Sequence, residues 1–226
     1  MKKLIAVLLL STTLLSLIAL AESKHACIPR ATHQEQVILT GGWERAASPV
    51  LSDELKTLFA QAFEGFTGTA YTPVAYLGSQ VVAGTNHGFL CRSKAATPDA
   101  KEFYAFVYLH APLEGKAEIK EIVETGALTH LSDERIEDGW TQVESPALTE
   151  KAQKAFDDAF AGLTGVSYEP IALLSAMAFK AINYCILCEE TVVVPDTESR
   201  YVLTYISQDA EGKAAIISIE DLTVRH

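Results

Sequence analysis

Basic residues are scarce in this chain. Lysine and arginine number 18 against 29 aspartates and glutamates, a formal charge of −11. Such a surface repels phosphate backbones and anionic lipid, so nucleic acid and membrane surfaces are poor partners. Cysteine is scarce too, with four residues: Cys27, Cys91, Cys185 and Cys188. Cys185 and Cys188 form a Cys-x-x-Cys, but there is no second ligand pair at zinc spacing and no β-α-β setting with the pair at a helix start. A metal site is therefore not expected, and a redox-active exported protein stays an outside reading. The six histidines are scattered, no Ser/His/Asp order carries a nucleophile elbow, and no glycine-rich loop follows a strand to cradle phosphate. Catalysis and a bound cofactor both lack support, so the chain is read as neither an enzyme nor a cofactor protein.

A long apolar run does occur at the N-terminus. Met1-Lys2-Lys3, the run from Leu4 to Leu20 and the ending Ala19-Leu20-Ala21 read as a secretory signal peptide over 1–21. An uncleaved anchor is the alternative for a run of this length, and the small-x-small site argues against it. Lipid attachment at Cys27 is disfavoured by the polar Lys24-His25-Ala26 before it. Cleavage leaves 205 residues with a charge of −13, expected in a periplasm or outside the cell, with no membrane partner after cleavage. In that compartment all four cysteines are disulfide candidates, with three full pairings open. Any bridge is expected to involve Cys27 or Cys185.

Only two tryptophans occur, Trp43 and Trp140, each preceded by glycine and 97 residues apart. That register continues without a gap. Ser48-Pro49 falls on Ser145-Pro146, Phe59 on Phe156, Thr67-Gly68 on Thr164-Gly165, Pro73 on Pro170, Asn86 on Asn183 and Leu90-Cys91 on Leu187-Cys188. The chain is a tandem duplication with a polar joint near Gly126 to Asp138. The expected organisation is an N-terminal segment at 22–36, one unit at 37–125, a linker at 126–133 and a second unit at 134–226.

Within the first unit Leu55, Leu58, Phe59, Ala62, Phe63 and Phe66 share the spacing of one helical face. Ser52 with Asp53 and Glu54 suits a capped acidic first turn, and Gly65 a stop. Thr149, Ala152, Phe156, Ala159, Phe160 and Gly162 repeat the pattern. Beyond the helix come strand-like runs at Tyr71 to Val82, Asn86 to Arg92, Phe103 to Leu109 and Ala117 to Val123. The expected class is α+β, each unit a curved antiparallel sheet wrapped across one helix, with solvent on the sheet's other side.

One stretch stands apart: Gln80-Val81-Val82-Ala83-Gly84-Thr85-Asn86, at the turn between the first two strands after the helix. With Gly41-Gly42 ahead of the helix, this order resembles the cystatin family, whose Gln-x-Val-x-Gly hairpin occupies that place. The resemblance covers about Val37 to Val123. It implies two tandem cystatin-like units, the second degenerate, and an exported inhibitor of papain-like cysteine proteases that wedges a trunk and two hairpins into the active-site cleft. The protease-binding residues so implied are Gly41, Gly42, Gln80, Val81, Val82, Ala83, Gly84, Pro112 and Leu113, with Val37 to Leu39 as an apolar trunk. His87 stands where the family often has an aromatic residue, and Pro112-Leu113 lacks the tryptophan many members carry. The second unit has Met177-Ala178-Phe179-Lys180-Ala181 at the hairpin and the charged Glu134 to Asp138 before it, so it is expected to lack the wedge chemistry. The alternative is a non-inhibitory interaction or scaffold module.

Overall fold

A computed structural model describes residues 42–127, 139–178, 180–193 and 199–222. The signal peptide expected at 1–21, the segment at 22–36, Cys27, the residues Val37 to Leu39 expected to form a trunk, Gly41, Phe179 and the charged Glu134 to Asp138 lie outside the described residues.

Twelve elements follow in order: β1 (Trp43–Arg45), α1 (Asp53–Ala62), β2 (Thr69–Val82), β3 (Gly84–Ala95), β4 (Glu102–Ala111), β5 (Glu118–Ala127), β6 (Thr141–Gln142), α2 (Glu150–Phe160), β7 (Val166–Ala178), β8 (Ile182–Val192), β9 (Arg200–Gln208) and β10 (Ala214–Asp221). The strands form two five-stranded antiparallel meanders, β1-β2-β3-β4-β5 and β6-β7-β8-β9-β10. The register irregularities between β2 and β3 recur between β7 and β8. β2 slips against β3 between Pro73 and Ala75 and again between Tyr76 and Gly78, while β7 slips against β8 between Pro170 and Ala172 and between Leu173 and Ser175. Each bulge bends its strand at the same place in both copies.

Both helices begin on a hydroxyl cap. Ser52 Oγ accepts from the Leu55 amide at 3.3 Å and Thr149 Oγ1 from the Ala152 amide at 3.2 Å, each satisfying an otherwise orphaned N–H. Of α1 only Phe59 is buried, its ring meeting Phe89 edge-on at 5.3 Å; α2 buries Ala152, Ala155 and Phe156.

The α+β expectation is overturned. Ten strands in two large sheets, against helices of 10 and 11 residues, make the described chain mostly β. The reason lies in the strands themselves. Phe89, Leu90 and Cys91 are consecutive and all fully buried, as are Ile186, Leu187 and Cys188, and successive strand residues point to opposite faces. Both faces of each sheet are therefore covered, which a short helix on one side cannot achieve. Where solvent was expected, the sheets meet each other. Ala75, Leu77, Leu90, Tyr104 and Phe106 of the first copy share one core with Ala172, Leu174, Leu187, Leu203 and Tyr205 of the second. Phe106 stacks on Tyr201 at 5.2 Å across this core, and Arg45 is ion-paired with Glu169 and Glu189 of the other copy. All the described elements fall within one compact unit, and no helix among the described residues is long and apolar enough to cross a membrane.

Candidate functional site

The β2–β3 hairpin closes on a single residue, Ala83, between the paired Val82 and Gly84. Gly84 has φ +110°, and a Cβ there would overlap the carbonyl oxygen of Ala111 and lie 2.9 Å from Pro112 Cα. Glycine is thus required twice, by the turn and by the turn after β4 that presses against it. On the other flank Trp43 pairs with Gln80, which brings the preceding Gly42 level with Val81. Gly42, Val81 to Gly84 and Pro112-Leu113 consequently gather at one end of the first sheet. The tip is apolar and open: Val81 and Val82 are each 40% exposed and Leu113 is 85% exposed.

Behind the tip runs a polar row. Gln80, Asn86, His110 and Glu118 occupy successive register positions on β2, β3, β4 and β5. Asn86 is buried; its Nδ2 donates to Gln80 Oε1 at 2.7 Å and its Oδ1 accepts from His110 Nδ1–H at 2.9 Å. The amide therefore ties the hairpin to itself and to β4. Gln80, read from sequence as a protease contact, has its side-chain oxygen engaged in this clamp. Asn86 and His110 were missed as functional positions, although the Gly-Thr-Asn ending of the motif was a signal for the first. Next to them Tyr76 OH and His87 Nδ1 lie 3.0 Å apart, and burial lowers the proton affinity of His87.

The matching end of the second copy is built differently. Met177 pairs with Asn183, and Asn183 with Ser207, so neither the glutamine nor the histidine of the clamp is present. Ala181 stands at the place of Gly84.

Cys91, Cys185 and Cys188 are free buried thiols, which corrects the disulfide expectation for these three. The geometry explains it, because each lies in a different core: Cys91 under α1 with Phe59, Cys188 under α2 with Phe156, and Cys185 between the sheets. Burial pushes the Cys185 and Cys188 thiols up to about 12 and the Cys91 thiol up as well. Cys91 and Cys188 hold equivalent places, opposite Pro73 and Pro170 respectively. Among the described residues no group of three His, Cys, Asp or Glu side chains is placed to hold a metal ion.

No protein-family model and no curated protein matches the chain.

Proposed function

We propose that the chain is an exported inhibitor of papain-like cysteine proteases, acting in a periplasm or outside the cell, and that Val81, Val82, Ala83 and Leu113 enter the active-site cleft as an apolar wedge. The observation that carries this reading is the junction at Gly84, where two turns from different hairpins are packed backbone to backbone with their apolar residues outward. A cleft rewards burial of such residues without offering them a role in chemistry, and no catalytic group is required of the inhibitor. The exposed part of each valine, about 60 Å², is worth about 1.5 kcal/mol on burial, and that of Leu113, about 150 Å², about 4 kcal/mol. The closed clamp behind the tip adds preorganisation, which limits the entropy lost on binding. Gly42 and Pro112 lie beside the wedge.

The test is inhibition of papain by the mature chain and by the Val82→Asp and Leu113→Asp variants, with folding checked by circular dichroism. Wild type is expected to inhibit with a dissociation constant between nanomolar and micromolar, about −12 to −8 kcal/mol, and each variant at least tenfold more weakly. A folded wild-type chain that fails against several papain-like enzymes refutes the inhibitor and leaves the tip to a non-inhibitory interaction module.

A further inference from the structure

Each sheet has one long edge strand, β5 in the first copy and β10 in the second, and no described strand pairs with the far side of either. The 97-residue register sets Glu118, Lys120 and Glu121 of β5 on Ala215, Ile217 and Ser218 of β10. Both strands bulge at the same place. Lys120 is passed over between the pairings of Ile119 with Leu109 and Glu121 with Tyr108, and Ile217 between those of Ile216 with Ile206 and Ser218 with Tyr205. In β5 the lysine at the bulge and the glutamates on either side of it, all three exposed, oppose the addition of a further strand, because pairing would take their charges out of water. The second copy lacks that guard. From Ala214 to Ile219 its edge carries no charge, proline or glycine, and Ile217 and Ile219 are 54% and 36% exposed. A segment of that composition on an open edge is a template for strand addition.

The two ends of β10 select what is added. At its start Lys213 is exposed, and the adjoining cavity carries Lys151, Lys154 and Lys180 against Asp209 and Glu211. Lys154 is paired with Asp158, and the lysines still outnumber the acids. At its other end Glu190 and Asp221 share the single Arg200, with Glu220 next in the chain, so that end is negative. Two β10 strands laid antiparallel set the positive end of each beside the negative end of the other, whereas parallel strands set like against like. Antiparallel self-pairing is also what a two-fold axis generates from one surface. We propose that β10 pairs antiparallel with β10 of a second copy of this chain, joining two five-stranded sheets edge to edge. An unrelated strand would gain the same main-chain bonds without the reciprocal charges. The pairing does not rest on protease inhibition, because none of Val81 to Gly84 or Leu113 belongs to β10.

The experiment is sedimentation equilibrium of the mature chain over about a hundredfold range of concentration, since a self-association must follow mass action. A monomer that passes to a dimer, and no further, is the expected result. Ile217→Lys restores at the bulge the residue type that β5 carries there and should weaken the dimer at least tenfold, with folding checked by circular dichroism. Lys213→Glu should weaken it about threefold or more, and adding Glu220→Lys to Lys213→Glu should recover the wild-type affinity, which only antiparallel pairing of like strands explains. A dimer indifferent to Ile217→Lys, or one weakened by Lys213→Glu and not recovered by the exchange of charges, overturns the proposal. So does a chain that stays monomeric throughout. Hydrogen exchange at Ala214 to Ile219 then separates an edge already covered by the chain itself, with every amide protected, from one left open to a strand of another protein.

Discussion

Replacing Asn86 with alanine removes the middle of the polar row behind the tip. The amide is 2% exposed and makes two side-chain bonds, at 2.7 Å to Gln80 and 2.9 Å to His110. Each bond contributes about 1 kcal/mol net, and a partner left buried without one costs about 1–3 kcal/mol more. Gln80 and His110 are only half-buried, so water reaches them in part and the lower end of that penalty applies. A total of about 2–3 kcal/mol is expected. Urea denaturation followed by circular dichroism measures it, as a lower midpoint with an unchanged slope. Asn183→Ala is the internal control. Asn183 occupies the equivalent register place, is half-buried and makes no side-chain hydrogen bond with a described residue, so its loss should cost under about 0.5 kcal/mol. A double-mutant cycle with Gln80→Ala should return a coupling of about 1 kcal/mol. Equal costs at the two asparagines, or a negligible one at Asn86, would refute the clamp.

Phe106→Ala opens the core between the sheets and is expected to cost about 3–5 kcal/mol, with both copies unfolding in one transition by tryptophan fluorescence; two separated transitions would contradict the shared core. Thiol labelling of the native chain, mapped by mass spectrometry, should leave Cys91, Cys185 and Cys188 unmodified until denaturant is added, because burial keeps them protonated. His87 is held neutral below its ordinary value of 6.5 by burial. The unfolded chain therefore takes up a proton there first as pH falls, and the stability linked to it is present above about pH 6.5 and lost below. Denaturation midpoints at pH 7 and pH 5 should draw closer together in His87→Phe than in wild type.

Much of the local structure could be read from residue types. Ser52 and Thr149 mark helix starts through chemistry that acts within one turn, and Gly84 marks a tight hairpin because so few residues adopt positive φ. The bulges at Pro73 and Pro170 follow the 97-residue register. The class was misread because Phe89-Leu90-Cys91 and Ile186-Leu187-Cys188 were treated as strands with one covered face. Three consecutive buried side chains need cover on both faces, and that cover is the other copy, which no reading of one unit by itself contains. The cysteines follow from the same point. Cys185 and Cys188 do point to opposite faces as their spacing requires, but both faces are interior, so both thiols are buried. The clamp was illegible for another reason: it depends on Asn86 standing opposite both Gln80 and His110, a register set by the hairpin turns and bulges rather than by the spacing of residue types.

The two copies agree where they must pack and diverge at the first copy's tip and at Gly78 and Gly88. Phe59 and Phe156, Leu90 and Leu187, Cys91 and Cys188, and Tyr108 and Tyr205 keep matching roles in the cores. By contrast Gly84, His110, Gly78 and Gly88 face Ala181, Ser207, Ser175 and Cys185. A second copy without the clamp still has a physical task, because Leu187, Leu203 and Tyr205 cover the face of the first sheet that carries Leu90 and Phe106. Uncovered, that face would expose a contiguous apolar surface from Ala75 to Phe106, the kind of patch that drives association. The duplication thus separates two demands that conflict within one small sheet: the second copy supplies cover, and the first is left free to carry the tight turn at Gly84.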